Sequence, residues 1–177
     1  MPAASVFASK LNEQIANEFA AHQQYVACAV YFEAETLPQL AAFFYRQALE
    51  ERTHAMMMIQ YLLDTGAEAT TPGIAAPRIK FADVVEPVAL ALAQEREVSE
   101  QINALAKTAR EESDFAAEQF VQWFIAEQIE EVATMSDLLA VAERSRDRVA
   151  EIEDFLAREH PGQSGPDAAA PREAGGQ

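Results

Sequence analysis

Two four-residue stretches carry the residues most suited to chemistry, Glu51-Arg52-Thr53-His54 and Gln128-Ile129-Glu130-Glu131. Residues three apart in a helix lie on one face, about one turn apart. The first stretch therefore aims a carboxylate and an imidazole at one point, which makes a corner of a metal site. The spacing repeats along the chain. Glu18 precedes Glu51 by 33 residues and His54 by 36, while Glu95 precedes Gln128 by 33 and Glu131 by 36. The chain thus reads as two similar helical hairpins, each with a lone inward carboxylate followed by a pair one turn apart. A bundle that binds two metals in its core uses one Glu from each of two helices and a Glu-x-x-His from each of the other two. Here the second pair is Gln-x-x-Glu, a departure from that pattern. Carboxylate oxygens with one imidazole suit iron, manganese or zinc.

The elements that must position these groups follow from periodicity and from breakers. Leu11, Ile15, Phe19 and Val26 recur at helical spacing and predict a helix over 5–34. Pro38 breaks it, Thr36 is expected to cap the next helix, and that helix runs from Pro38 to about Asp64 with Gly66 as its stop. Residues 67–82 contain Pro72, Gly73 and Pro77 and show no helical period. A crossover that long lets the third helix run parallel to the second. Asp83 is expected to cap a third helix over 84–112 and Asp114 a fourth over 115–144. A short fifth helix is expected over 148–159, with an apolar stripe of Val149, Ile152, Phe155 and Leu156 left for an interface. The reading is all-α: an up-down-down-up four-helix bundle in residues 1–160, with a Pro- and Gly-rich tail, 161–177, expected to be disordered.

Composition narrows the function. The net charge is −16, so nucleic acid is not an expected partner. The acidity reads either as solubility or as a surface that gathers cations. No apolar run is long enough for a membrane span, and no secretory signal is expected near Met1. The single cysteine, Cys28, fits a small buried side chain in a reducing, cytoplasmic setting.

The stretches NEFAAHQQYVACAVYF, ALEERTHAMMMIQYLL and QWFIAEQIEEVA resemble the non-haem ferritins of bacteria, and the likeness spans nearly all of residues 5–159. That resemblance implies a ferritin-like diiron fold and a ferroxidase that takes Fe(II) and dioxygen, or peroxide. It also implies a homo-oligomeric shell of 24 subunits that stores the iron as a mineral. Carried over by position, Glu18, Glu51 and His54 match the first iron position. Glu51 would bridge to a second, formed by Glu95 and Glu131 with Gln128 close by. Glu50, Glu127 and Glu130, with Glu131 shared, match a third, more inward iron position; their other reading is a solvated face. Tyr25 matches a tyrosine beside the iron pair and has two readings, electron donor or buried phenol. Trp123 matches a nearby tryptophan. No haem ligand is expected, because Arg52 and Thr53 stand where the haem-containing relatives carry a methionine. Met56, Met57 and Met58 then read as packing, and His22 as a polar surface or interface residue. Glu111, Glu112, Asp114 and Glu118 line an entry channel or are ordinary helix-end charges. An oxidase acting on an organic substrate and a storage subunit without an oxidation site are the competing functions.

Overall fold

The computed structural model describes residues 5–162, 165 and 167–176. Among these there are five helices and no strand: α1 (Val6–Ala34), α2 (Pro38–Asp64), α3 (Val85–Glu111), α4 (Phe115–Arg144) and α5 (Val149–Glu159). α1 packs on α2, α3 on α4, and α1 on α3, while α5 lies across α2 and α4. The C-terminal end of α3 meets the N-terminal end of α1, so those two helices are antiparallel and the bundle runs up-down-down-up.

Helix starts are closed in two ways. Asp83 Oδ1 accepts from the Val85 and Glu86 amides at 2.9 and 3.1 Å, and Asp114 Oδ1 accepts from Ala117 N at 2.9 Å. These are the local caps the sequence predicts. α1 has a local cap too, Ser5 Oγ accepting from Ala8 N at 3.2 Å, but it and α2, which has none, also borrow carboxylates from distant elements. Glu112 accepts from Val6 N and Phe7 N at 2.8 and 3.0 Å, and Glu153 of α5 accepts from Gln39 N and Leu40 N at 2.9 and 2.8 Å. An anion at a helix N-terminus satisfies orphan amides and meets the positive end of the dipole.

Thr36 does not cap α2, contrary to expectation. It sits at φ 61° and ends α1, where its amide and that of Leu37 bond back to Glu33 O and Phe32 O. The same back-bonded ending occurs at Gly66, φ 72°, and Ser113, φ 57°. Only the glycine adopts that backbone freely, and a β-branched threonine there is strained.

The crossover between α2 and α3 is pinned along α1 by two side-chain amides. Asn12 donates to Glu68 O and accepts from Thr70 N, and Gln24 donates to Arg78 O and accepts from Arg78 N. Each amide offers the loop a donor and an acceptor, much as a neighbouring strand would.

The core is in two apolar halves. One gathers Tyr25, Phe32, Leu40, Phe44, Val88, Leu138 and their neighbours at one end of the bundle. The other gathers Phe7, Leu11, Ile15, Met58, Leu62, Ile102 and Phe124 at the opposite end. Met57 and Met58 are buried in this second half, in keeping with packing. The stripe on α5 is not left for an interface. Ile152 and Leu156 are buried against the first half, and Val149 and Phe155 pack on it, because α5 folds back over α2 and α4. No helix among the described residues is long and apolar enough to cross a membrane.

Candidate metal centre

Between the two apolar halves lies a charged layer. Glu18, Glu51, His54, Glu95, Gln128 and Glu131 are all buried there, one or two from each long helix. Their ligand atoms converge on two neighbouring points. Glu18, Glu51 and His54 form one group and Glu51, Glu95 and Glu131 another, with the ligand atoms of each within 4.8 Å of one another. Glu51 belongs to both, as a bridging carboxylate must. His54 Nδ1 lies 3.7 Å from Glu18 Oε2 and 3.6 Å from Glu51 Oε2.

The hydrogen bonds leave a pattern of free oxygens. Among the described residues, Glu18 Oε2 and both oxygens of Glu51 and of Glu131 are buried with no hydrogen-bond partner. Buried carboxylates without partners are costly, and proteins keep them only paired, protonated or metal-bound. Glu95 differs, since both its oxygens are engaged. Tyr25 Oη donates to one, and Gln128 Nε2 to the other at 3.0 Å, with the Glu95 carbonyl also 3.3 Å away. Gln128 therefore sits where the sequence places it, beside the second point, with its amide N–H turned to Glu95.

The protonation equilibria follow from this crowding. Burial, then repulsion from Glu95 and Glu18, pushes the Glu51 carboxyl well above its ordinary value. Burial, then Glu51 and Glu95, does the same to Glu131. Burial also raises Glu95, against the hydrogen bonds from Tyr25 and Gln128. For Glu18, burial works upward, but His54, Glu51 and Gln14 outweigh it and hold the carboxyl below the usual range. Burial opposes the charge on His54 as well, yet Glu18, Glu131 and Glu127 raise the imidazole to about 9. Tyr25 is pushed well up by burial and then by Glu95, so its phenol stays protonated.

The more inward carboxylates are arranged less tightly. Glu50, Glu127, Glu130 and Glu131 line a cleft of about 660 Å³ that also meets Glu159 and His160. Glu127 joins His54 and Glu131 in a third group of ligand atoms within 4.8 Å. Glu50 and Glu130 lie on the exposed wall of the cleft, outside that group. Trp123 packs edge-on to His54 with ring centroids 5.6 Å apart, and its indole N–H donates to Asp167 in the tail at 2.8 Å. Tail residues also reach α2, through Arg172 to Asp64 at 2.9 Å and Ala174 N to Met56 O at 3.0 Å.

Other candidates resolve into structural roles. Burial pushes the Cys28 thiol up to about 11, as expected of a packed, unreactive side chain. His22 Nδ1 donates to Ala48 O at 2.6 Å, tying α1 to α2. Of the acidic cluster at the α3–α4 turn, Glu112 and Asp114 cap helices, Glu118 pairs with Arg110 at 2.6 Å and Glu111 with Lys107 at 3.8 Å. Those engagements match the helix-end reading. Sequence reasoning missed Gln14, a buried amide one turn before Glu18 that donates to it at 2.7 Å. An i−4 glutamine before a buried glutamate was the available signal.

Fold and site together define a four-helix carboxylate–histidine bundle whose middle layer offers ligand groups for metal ions. The family model of the ferritin-like domain matches residues 8–145. Ferritin BfrB of Mycolicibacterium smegmatis is 52% identical over 170 residues, covering 96% of this chain and 93% of its own. The bacterial non-heme ferritin of Staphylococcus aureus is 38% identical over 123 residues, covering 70% of this chain and 74% of its own. Among solved structures, the open pore ferritin of the archaeon Archaeoglobus fulgidus superposes with a TM-score of 0.84 at 24% identity, covering 88% of this chain and 98% of that one. The chain belongs to the ferritin family.

Proposed function

We propose that the protein is a ferroxidase built into an iron store. Two ferrous ions are its substrates. Glu18, Glu51 and His54 take the first, Glu51, Glu95 and Glu131 take the second, and Glu51 joins them. The observation that carries this reading is the set of buried, partnerless oxygens on Glu18, Glu51 and Glu131, all turned toward two points that share Glu51. Hard anionic oxygens favour the ferric state over the ferrous. Each iron gives one electron to dioxygen, which takes up two protons and leaves as hydrogen peroxide.

The chain's own groups have distinct parts. Glu51 and Glu131 hold protons in the empty site and release them as cations arrive. His54 does the same at Nδ1, since only neutral imidazole ligates. Tyr25 fixes Glu95, and an electron drawn from its phenol would leave the proton on Glu95. Glu127, with Glu50 and Glu130 along the cleft, forms the third position, which leads ferric product from the paired site toward a mineral store. The reading includes a cytoplasmic shell of 24 copies, and the relatives' names as ferritins support its storage class.

The test is aerobic addition of two ferrous ions per chain to the apo-protein, followed by stopped-flow absorbance, with particle size measured in parallel. Rapid ferric absorbance that Glu51→Ala abolishes, in a large hollow particle, is the expected result. A rate equal to buffer, or a small oligomer, would return the chain to a metal-binding bundle of other purpose.

A further inference from the structure

We infer that Gln14 is a positioning residue for the paired site: by holding Glu18 Oε1 it makes Glu18 a one-oxygen ligand and keeps a coordination position open at the first iron. The inference rests on the ferroxidase reading above. Gln14 is buried on α1, one turn before Glu18, and its Nε2 donates to Glu18 Oε1 at 2.7 Å. The amide is itself oriented. Asn17 Nδ2 donates to Gln14 Oε1 at 3.1 Å. A donor on one side and a carboxylate on the other leave one arrangement of the amide that satisfies both. Asn17 is only half-buried, so a short polar ladder runs from near the surface of α1 into the charged layer.

The consequence lies in the oxygen that remains. Glu18 Oε2 has no partner and is the atom that faces His54 Nδ1 at 3.7 Å. Glu51 and Glu131 have no such tether and keep both oxygens free, as bridging or two-oxygen ligation requires. The layer therefore sorts its carboxylates by hydrogen bonding before any metal arrives. Without the Gln14 donor, Oε1 is released beside the same cation. Glu18 then chelates with both oxygens and fills a position that dioxygen or water would otherwise take. Groups that hold metal ligands in place are worth about 10–100-fold in affinity or activity.

The experiment uses the full chain as assembled. Apo-protein is titrated anaerobically with cobalt(II), and the ligand-field absorbance, which weakens as coordination number rises, is recorded for wild type, Gln14→Leu and Glu18→Ala. Ferrous oxidation is measured beside it as maximal rate and half-saturating iron separately. Gln14→Leu is expected to bind two cobalt ions per chain with weaker ligand-field bands. Its maximal oxidation rate falls about tenfold while half-saturating iron stays the same or drops. A merely structural role would lose a cobalt equivalent or raise half-saturating iron instead, and either result overturns the inference, as does a Gln14→Leu spectrum identical to wild type. Asn17→Ala, at a half-buried position, gives the same signature at smaller amplitude and serves if Gln14→Leu does not assemble; an unchanged Asn17→Ala spectrum then overturns the inference. If wild type binds no cobalt and Glu18→Ala looks the same, the ferroxidase reading fails along with it. If wild type binds two and only Glu18→Ala differs, the positioning role alone fails.

Discussion

The two ends of the bundle and its middle obey opposite rules. At either end, Phe, Leu, Ile and Met side chains fill the space between four helices, and each fully buried one adds about 1.5–3 kcal/mol of stability. In the middle layer, four carboxylates and an imidazole displace that packing, and five of their oxygens have no partner. The apo-protein is held together by its ends and strained at its centre. A site that is to seize cations must be poor at satisfying itself, and the fold tolerates this because the apolar halves flank it on both sides.

That contrast can be broken at several points. The largest effect is expected from Glu51→Ala, which removes oxygens from both positions at once. The oxidation rate should fall by well over about a hundredfold, since removing a ligand exceeds the loss of a supporting group; stopped-flow absorbance reads it directly. Glu131→Leu sharpens the comparison by extending the apolar rule into the middle. It should abolish the second metal equivalent in a cobalt titration and yet raise the stability of the apo-protein in chemical denaturation, because a buried carboxyl without a partner gives way to an apolar side chain. A loss of apo stability would show that the layer is less strained than its free oxygens imply.

The protons give a subtler test. His54 in the folded chain titrates at about 9 against an ordinary 6.5, so its folded value is raised. Its contribution to stability is complete below 6.5 and is lost as pH climbs through 9. Glu51 and Glu131 are raised from 4.5 in the same sense, so their contributions also fade as pH rises above that value. The apo-protein should therefore melt at progressively lower temperature from mildly acidic to alkaline pH. A saturating divalent cation should oppose that decline, and binding at pH 7 should release protons measurable with a pH indicator. The smallest effect belongs to the ends. Glu153→Ala leaves two amides at the head of α2 without their carboxylate and should reduce stability by about 1 kcal/mol, with metal binding unchanged.

The parts of this design that are local were legible in the sequence. The helix spans follow from Pro38, Gly66, Asp83 and Asp114, and the matched spacing of Glu18, Glu51, His54, Glu95 and Glu131 places one face of each helix toward the others. What escaped depends on distance or on rotamers. Glu112 and Glu153 cap helices more than a hundred residues away, which no window along the chain registers. The α5 stripe reads as an orphan face until the fold lays it on α2 and α4. Thr36 looks like a cap by composition, but the back-bonded ending of α1 claims it first. Gln14 stands at an ordinary helical position, and only its side-chain direction turns it into a tether.

The borrowed caps have a consequence for the order in which the chain matures. Synthesis delivers α1 and α2 first, while the carboxylates that close their starts, Glu112 and Glu153, emerge only with the end of α3 and with α5. A nascent chain holding the first hairpin alone carries two helix heads with exposed amides and the Glu51–His54 corner without its counterpart. The head of α1 is thus completed only when the end of α3 is made, and the head of α2 only when α5 follows.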